Sequence, residues 1–582
     1  MRQIIAFLIL PLIAYPQYHG ILEENELDDP DETQYLEQLL TTIFQPFLIE
    51  TADTNALVEH GYSPEAIETI LNWQGSGGSL TSLRRKIHGS DLILLKNDIK
   101  QESQQTQIQL RQRLQYSPSL DGWRVLNKGR LWNRWGSVTI LSEQDPGERD
   151  LTDHSIITLS SQSIPRLDNV ILGDFHVNWG GGLILNQQGS RPSLHPGSLL
   201  RTRQSTIRPH YSSREIDYFR GIASCFSFRE IHGAAFISSR IVEGTMHGSQ
   251  FTIDGDGIHP AGRIYDYRRA NDIGLALETV STGFQVYGST IYNPNMQAGL
   301  AYELGLASEL GCSQKIQFYT NSLDFKNHRV IGTWAYLTSE LHVSLQYRHF
   351  ISDEVLAPGA ISTLLGTSAS NEEGLSVRVQ LRPWHKLQIR YALDSGYPIE
   401  LQSAHDYRSI QQHKFQVLQK LDKGVVQIDF SQKKERPVLE GDIWAGQFSS
   451  RTLTKGALSL THIFSPHFEY RLNIKSAFHQ TESAFLIQQR LSCEKGSWKW
   501  SLGYVRFSIP DYTMRLSVYE TSVAESFGFY TAFDDGDRWF LYLKQGVVNW
   551  FHIELKLVQT RSFEFPVSPK QLALSLQMSI VL

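Results

Sequence analysis

Leu341-His342-Val343-Ser344-Leu345-Gln346-Tyr347-Arg348 alternates apolar and polar side chains without a break, and Leu375-Ser376-Val377-Arg378-Val379-Gln380-Leu381-Arg382 repeats the pattern. Strict period two over eight residues is the signature of a β-strand with chemically different faces. After Pro383-Trp384-His385 the pattern returns in Leu387, Ile389, Tyr391 and Leu393, again in Phe468, Tyr470, Leu472 and Ile474, and again in Phe551, Ile553, Leu555 and Leu557. Turn dipeptides at Lys423-Gly424, Lys495-Gly496 and Asp535-Gly536 punctuate these runs as hairpins. From about Gln109 to Leu582 no convincing helical period interrupts the array, so this part of the chain is read as all-β.

Alternation does not say whether the apolar face meets a protein core or lipid. Three features favour lipid. The array is too long for one soluble sandwich, and Trp384, Trp444, Trp498, Trp500, Trp539 and Trp550 recur near strand ends, as an interfacial girdle requires. The chain also finishes inside a strand, Leu572 to Leu582, which suits a barrel whose last strand must pair with its first because lipid offers no hydrogen bonds to an open edge. The expected fold is therefore mainly β: a large antiparallel transmembrane β-barrel of about 18 to 26 strands, over residues 101–582. The polar faces, with Arg378, Arg382, Arg390, Glu469, Arg471, Lys475, Glu554 and Lys556, are expected to line the interior; both signs occur, so no charge selectivity follows from them.

Composition agrees with a folded chain. The 582 residues carry 54 basic and 60 acidic side chains, a net charge of −6, which gives no whole-chain case for nucleic-acid binding. The three cysteines, Cys225, Cys312 and Cys493, make neither a disulfide framework nor a zinc pattern. At the N-terminus Met1-Arg2 precedes the apolar run Ile4 to Ala14, too short to span a bilayer and suited to the core of a secretory signal over residues 1–20.

Residues 21–100 read as a small all-α periplasmic module. An acidic stretch, Glu23 to Glu37, leads into helical spacing through Leu36, Leu39, Leu40 and Ile43. His60-Gly61-Tyr62 breaks a short helix; Ser63-Pro64 then starts another, with serine as N-cap and proline at the first helical position. Two short helices around a glycine-containing hairpin resemble the helix-hairpin-helix domain, which implies DNA phosphate or partner binding at Gly61, Tyr62 and Ser63, with Arg84, Arg85 and Lys86 as the basic cluster. The acidic flank favours a protein contact over DNA.

Further along, Ser142-Glu143-Gln144-Asp145-Pro146-Gly147-Glu148, Leu172-Gly173-Asp174-Phe175-His176-Val177-Asn178-Trp179-Gly180-Gly181-Gly182-Leu183 and Tyr211-Ser212-Ser213-Arg214-Glu215 follow, with Tyr218 to Ala223 after them. Joined to the helical module, these stretches resemble a family of exported helix-hairpin-helix proteins of Bacteroidetes-type bacteria. The resemblance implies an outer-membrane barrel with a periplasmic N-terminal domain and no assigned activity. Gly173 and Gly180 to Gly182 permit a bulge or close backbone approach. Asp145, Glu148, Asp174, Arg214, Glu215 and Arg220 are candidates for a charge network inside the barrel.

Catalytic signals are poor. There is no nucleophile elbow, zinc motif or Walker loop, and Asp254-Gly255-Asp256-Gly257 lacks a third oxygen ligand at Ile258, so no enzyme activity, cofactor or metal is expected. Three roles remain as expectations. One is an outer-membrane channel or transporter; another is a DNA-uptake component using the helical module; the third is a structural envelope protein with a closed lumen, whose module binds another envelope protein.

Overall fold

The computed structural model describes residues 69–71, 73 and 83 and, from 106 onward, the strands and most short turns. Outside the described residues lie 1–68 and most of 72–105, together with 145–153, 186–205, 212–217, 254–265, 293–299, 321–327, 352–370, 400–407, 438–449, 524–528 and 564–570. The signal sequence, the hairpin at Gly61 to Ser63 and the cluster Arg84 to Lys86 fall there. Of the expected helical module, Thr69 to Leu71, Trp73 and Leu83 are helical, with Ile70, Trp73 and Leu83 buried.

The alternating runs pair as successive antiparallel hairpins. The last strand, Gln571–Val581, closes on the first, Gln107–Ser117, in a register from Gln109↔Val581 to Tyr116↔Leu574. Leu582 donates from its backbone N–H to the Ile108 carbonyl at 2.8 Å and accepts from the Ile108 N–H at 2.9 Å, so the terminus is stitched into the seam. The sheet counts 26 strands, of which Thr206–Pro209 and Gln250–Ile253 pair outside the ring, leaving a closed ring of 24. Closure pairs the first strand with the last, the condition lipid imposes on a sheet's outer edges.

Exposure settles which face is wet. In Leu341–Ile351, Leu345 and Tyr347 are exposed whereas Ser344, Gln346 and Arg348 are buried; in Asn371–Trp384, Leu375 and Leu381 are exposed whereas Ser376, Arg378 and Gln380 are buried. The apolar face therefore points outward all round, and Trp135, Trp384, Trp498 and Trp550 mark one rim of the belt, with Tyr292, Tyr397 and Trp539 toward the other. An exposed apolar belt of this extent with aromatic margins is the surface of an outer-membrane β-barrel.

The two rims differ. At one, strands are joined by two or three residues except at 162–168, and both ends of the barrel chain, Gln107 and Leu582, lie there. At the other, several connections are long, notably 179–218, 352–370 and 509–534, and 480–481 is a two-residue turn. Lys423-Gly424 and Lys495-Gly496 fall at tight turns as expected. Asp535-Gly536 does not: both residues belong to the strand Asp535–Val548, and the reversal before it is made by the long connection 509–534. Local turn chemistry there is overridden by strand pairing with Phe507 and Ser508.

Candidate functional site

Two of the long connections turn into the lumen. The first begins where the wall splits. Asn169–Asn178 pairs with His154–Ser161 only as far as Gly173, and thereafter its free edge is taken by Thr206–Pro209, while its other edge stays on Phe219–Phe228. Gly173 makes the departure possible. Its φ is +100°, and an added Cβ would stand 1.9 Å from the Ile157 carbonyl oxygen.

The split leaves backbone groups of His154–Ser161 without a strand partner, and side chains replace it. Asp174 Oδ2 accepts from the Ile157 N–H at 2.9 Å, and Arg220 Nη2 donates to the Ser155 carbonyl at 2.6 Å. The two are locked together by Arg220 Nε to Asp174 Oδ1 at 2.6 Å and Nη2 to Oδ2 at 3.1 Å. Thr158 Oγ1 and the His210 N–H both donate to the Asp174 carbonyl. Asp174 and Arg220 share the face of Leu172 and Ile222, which are exposed to the outside. This pair thus closes a seam in the wall instead of lining the interior, where sequence reading expected it. Asp145, Glu148, Arg214 and Glu215, the other members of the expected network, lie outside the described residues, as does Gly181.

Beyond the split, Asn178 to Leu185 enters the lumen. Gly182 N–H donates to Trp179 O at 2.8 Å and Trp179 N–H to Leu185 O at 3.2 Å, folding the segment into a compact turn. Glu303 Oε2 accepts from the N–H groups of Leu183 (3.1 Å) and Ile184 (3.4 Å), while Arg329 Nη1 donates to Leu183 O at 3.3 Å. All three contacts are buried. Trp179, Leu183, Ile184 and Leu185 pack on Phe236, Tyr287, Ile291, Tyr319, Ile331 and Phe350, which project from the inner wall. Gly180 lies so close to the Tyr287 ring that a Cβ would stand 2.1 Å from Cε1.

The second inward segment follows Trp498–Ser508. A single 3-10 turn, Tyr512–Met514, is capped by Asp511, and the short hairpin Leu516–Tyr519 with Phe529–Ala532 follows. Its apolar side, Met514, Leu516, Val518 and Ala532, covers Ala477, Ala484, Leu486, Val505 and Phe507 on the wall. Polar anchors hold it: Glu520 meets Arg538 Nε at 2.6 Å and Lys556 Nζ at 3.1 Å, Gln488 Nε2 donates to Tyr519 O at 2.8 Å, and Lys455 Nζ donates to Arg515 O at 3.1 Å. Burial alone would raise the Glu520 carboxyl, but the Arg538 and Lys556 charges outweigh it and hold the group below the ordinary glutamate range.

The remaining wall divides into a sector sealed by its own charges and a bare one. Arg348 bridges Glu372 (2.9 Å) and Asp394 (2.8 Å), and Arg378 adds to Asp394 at 3.1 Å, all buried. Across Arg408–Leu421, Gly424–Pro437, Arg451–Ser465 and Phe468–His479 the inward row is different. Gln412, Lys414, Asp429, Ser431, Lys433 and Lys455 all remain half-buried, and outward-pointing Phe415, Ile428, Phe430 and Leu458 confirm the facing.

One other cluster carries reactive side chains. At the short-turn rim Ser227 Oγ bonds both Asp168 and His232 Nδ1, the latter at 2.7 Å. The serine sits between acid and imidazole, whereas an activated serine needs the imidazole between serine and acid. Among the described residues no group of three His, Cys, Asp or Glu side chains is placed to hold a metal ion. The first inward segment was missed from sequence because its partners, Glu303 and Arg329, are more than a hundred residues away and carry no local motif.

No protein-family model matches the chain, and no curated protein is similar to it. Solved structures with a similar fold include the copper transporter OprC (8% identity, 82% of this chain and 81% of that one, TM-score 0.44). Another is the siderophore receptor PirA from Pseudomonas aeruginosa (7% identity, 82% and 81%, TM-score 0.41). A third is the translocation pore of the P pilus usher PapC (8% identity, 82% and 99%, TM-score 0.35).

Proposed function

We propose that this chain is an outer-membrane channel or transporter, in which the 24-strand barrel forms the passage and the two inward segments narrow it. The observation that carries the reading is the bare sector of the lumen wall. Polar inner side chains left half-buried at Gln412, Lys414, Asp429, Ser431 and Lys433, while the inner face under the segment Asn178 to Leu185 is buried, are what a wet path along one side of a partly filled barrel requires.

Orientation follows from the rims. Barrels of this kind keep short turns on the periplasmic side and long loops outside. Gln107 enters the wall at the short-turn rim, so residues 21–100 belong in the periplasm, where they serve as a docking element for another envelope protein. Both inward segments then descend from the external face. The reading is of passage and not of catalysis.

The full-length protein, purified in detergent and inserted into planar lipid bilayers, is expected to give discrete conductance steps. Complete absence of conductance, together with no uptake of small solutes into proteoliposomes, would overturn the proposal and leave a closed structural barrel. Retention of DNA by the same sample at low salt and its loss at high salt would instead point to DNA uptake.

A further inference from the structure

The chain as a whole is acidic, at −6, yet its lumen face is not. The first two strands, Gln107–Ser117 and Gly122–Asn133, contain no Asp or Glu at all. Their register puts Arg111 opposite Lys128 and Arg113 opposite Leu126, and the buried pair Arg111 and Arg130 shows that this row faces inward, since Leu110 and Leu131 are exposed on the other side. Arg124 joins the row, paired with Glu143 of the next strand. Tyr211, at the end of the first inward segment, lies against the row. Its carbonyl accepts from Lys128 Nζ at 3.0 Å, and its ring lies 4.7 Å from the Arg130 guanidinium.

The bare sector repeats the bias. Lys414, Lys433, Lys455 and Lys475 share its inner face with only Asp429, Glu435 and Glu469, and two of these acids are paired locally, Glu435 with Lys433 and Glu469 with Arg471 and Arg490. From composition both signs seemed to balance; once register assigns each described side chain to a face, these two stretches of the inner face carry more cations than acids.

We propose that the lumen selects for anions, and that the solutes it passes are small and negatively charged. This rests on the channel reading above. Fixed cations on the wall of a narrow aqueous path bounded by low-dielectric protein and lipid concentrate counter-ions and repel co-ions. Because the bare-sector lysines are half-exposed, salt screens them: the Debye length falls from about 10 Å at 0.1 M to about 3 Å at 1 M, so selectivity should weaken across that range.

The test is the reversal potential of the full-length protein in a planar bilayer under a KCl gradient, at low and at high mean salt. A potential of the sign set by chloride, shrinking toward zero as salt rises, is the expected result. Lys414→Glu combined with Lys433→Glu should move it toward the potassium side. Lys434→Glu, on the opposite face of the same strand, should not. Heat-dependent gel mobility checks that each variant is a folded barrel, and the wild-type sign decides even where the double variant does not fold. A zero or potassium-sign potential at low salt, with conductance present, overturns the inference and leaves the channel reading standing. No conductance at all overturns both.

Discussion

Two sectors of the same inner wall, built from the same kind of strand, meet different fates. Between Ile231 and Ile351 the segment Asn178 to Leu185 packs on large apolar inward residues, Phe236, Tyr287, Ile291, Tyr319, Ile331 and Phe350, while the buried Glu303 and Arg329 hold its backbone. Between Arg408 and His479 the inward residues Gln412, Lys414, Asp429, Ser431, Lys433 and Lys475 stay half-buried, although Ile410, Gln416, Leu418, Gln427 and Ala477 of the same face are buried. The outer faces do not differ in kind, since lipid demands apolar side chains of both. What separates the sectors is the inner face alone. Where large apolar side chains line the inner face a piece of chain packs on them, and where charges there are paired with each other they are buried; Gln412, Lys414, Ser431 and Lys433 meet neither condition in full and stay half-buried.

The sharpest way to break this contrast is to prevent the covering segment from leaving the wall. Gly173→Val places a branched side chain at φ +100° and drives its Cβ into the Ile157 carbonyl. Backbone strain of about 1–3 kcal/mol from the left-handed conformation adds to that collision. The variant is expected to yield no heat-modifiable folded barrel. Gly332→Val is the control, because nothing lies within 4 Å of a Cβ built at Gly332, and it should fold as wild type.

Removing the cover's anchor should be less drastic and more informative. Trp179 is 1% exposed and packs 5.3 Å from Phe236, so Trp179→Ala should cost roughly 3–5 kcal/mol of docking for the segment. Because the strands pair independently of it, the ring should persist. The checks are larger single-channel conductance and new protease cleavage near 180–185 in an otherwise folded barrel. Unchanged conductance would mean that the covered sector was never part of the passage.

A third comparison sets the outer face against the inner at one place. Leu458 points outward and is 39% exposed, whereas its neighbour Ser459 faces the lumen beside Gln427 and Asn473. Leu458→Arg puts a cation into lipid and should lower stability to denaturant by about 2–4 kcal/mol if it lies near the midplane. Ser459→Arg adds the same charge one residue away and should cost little. Equal costs would mean that the wet and greasy faces had been confused.

Much of this was legible in the chain itself, for a physical reason. Leu345, Leu375 and Leu381 must be apolar wherever they meet lipid, so period two survives in strands such as Leu341–Ile351 and Asn371–Trp384, and closure through Leu572 to Leu582 follows from the need to satisfy an edge. The covered sector was not legible. In His328–Leu337 both Val330 and Ile331 are apolar although they face opposite ways, and nothing local says that Ile331 awaits Leu183 and its neighbours from far upstream. Asp174 and Arg220 were read only as two of six residues in a charge network inside the barrel, because their pairing at the split depends on strand register that spacing does not contain. The helical module at 21–100 was read from periodicity, and only five of its residues lie among those described here.

The smallest expected effect concerns the second inward segment, and it separates electrostatic anchoring from the apolar docking of the first. Glu520 is held below the ordinary glutamate value of about 4.3 by Arg538 and Lys556. A carboxylate depressed in the folded state contributes stability that is complete above the unfolded value and is lost as pH falls through the folded one. The hairpin Leu516–Ala532 should therefore be indifferent to pH between 5 and 8, by roughly the constancy expected of a group far from its titration range. Below about 4 it should loosen, seen as protease access at 520–530 or a rise in conductance. Glu520→Gln should abolish that acid step, whereas the segment at Asn178 to Leu185 should keep its own response. If acid releases the hairpin equally in the Gln variant, its hold on the wall is the packing of Leu516 and Val518 on Val505 and Phe507, and the ion pairs only align it.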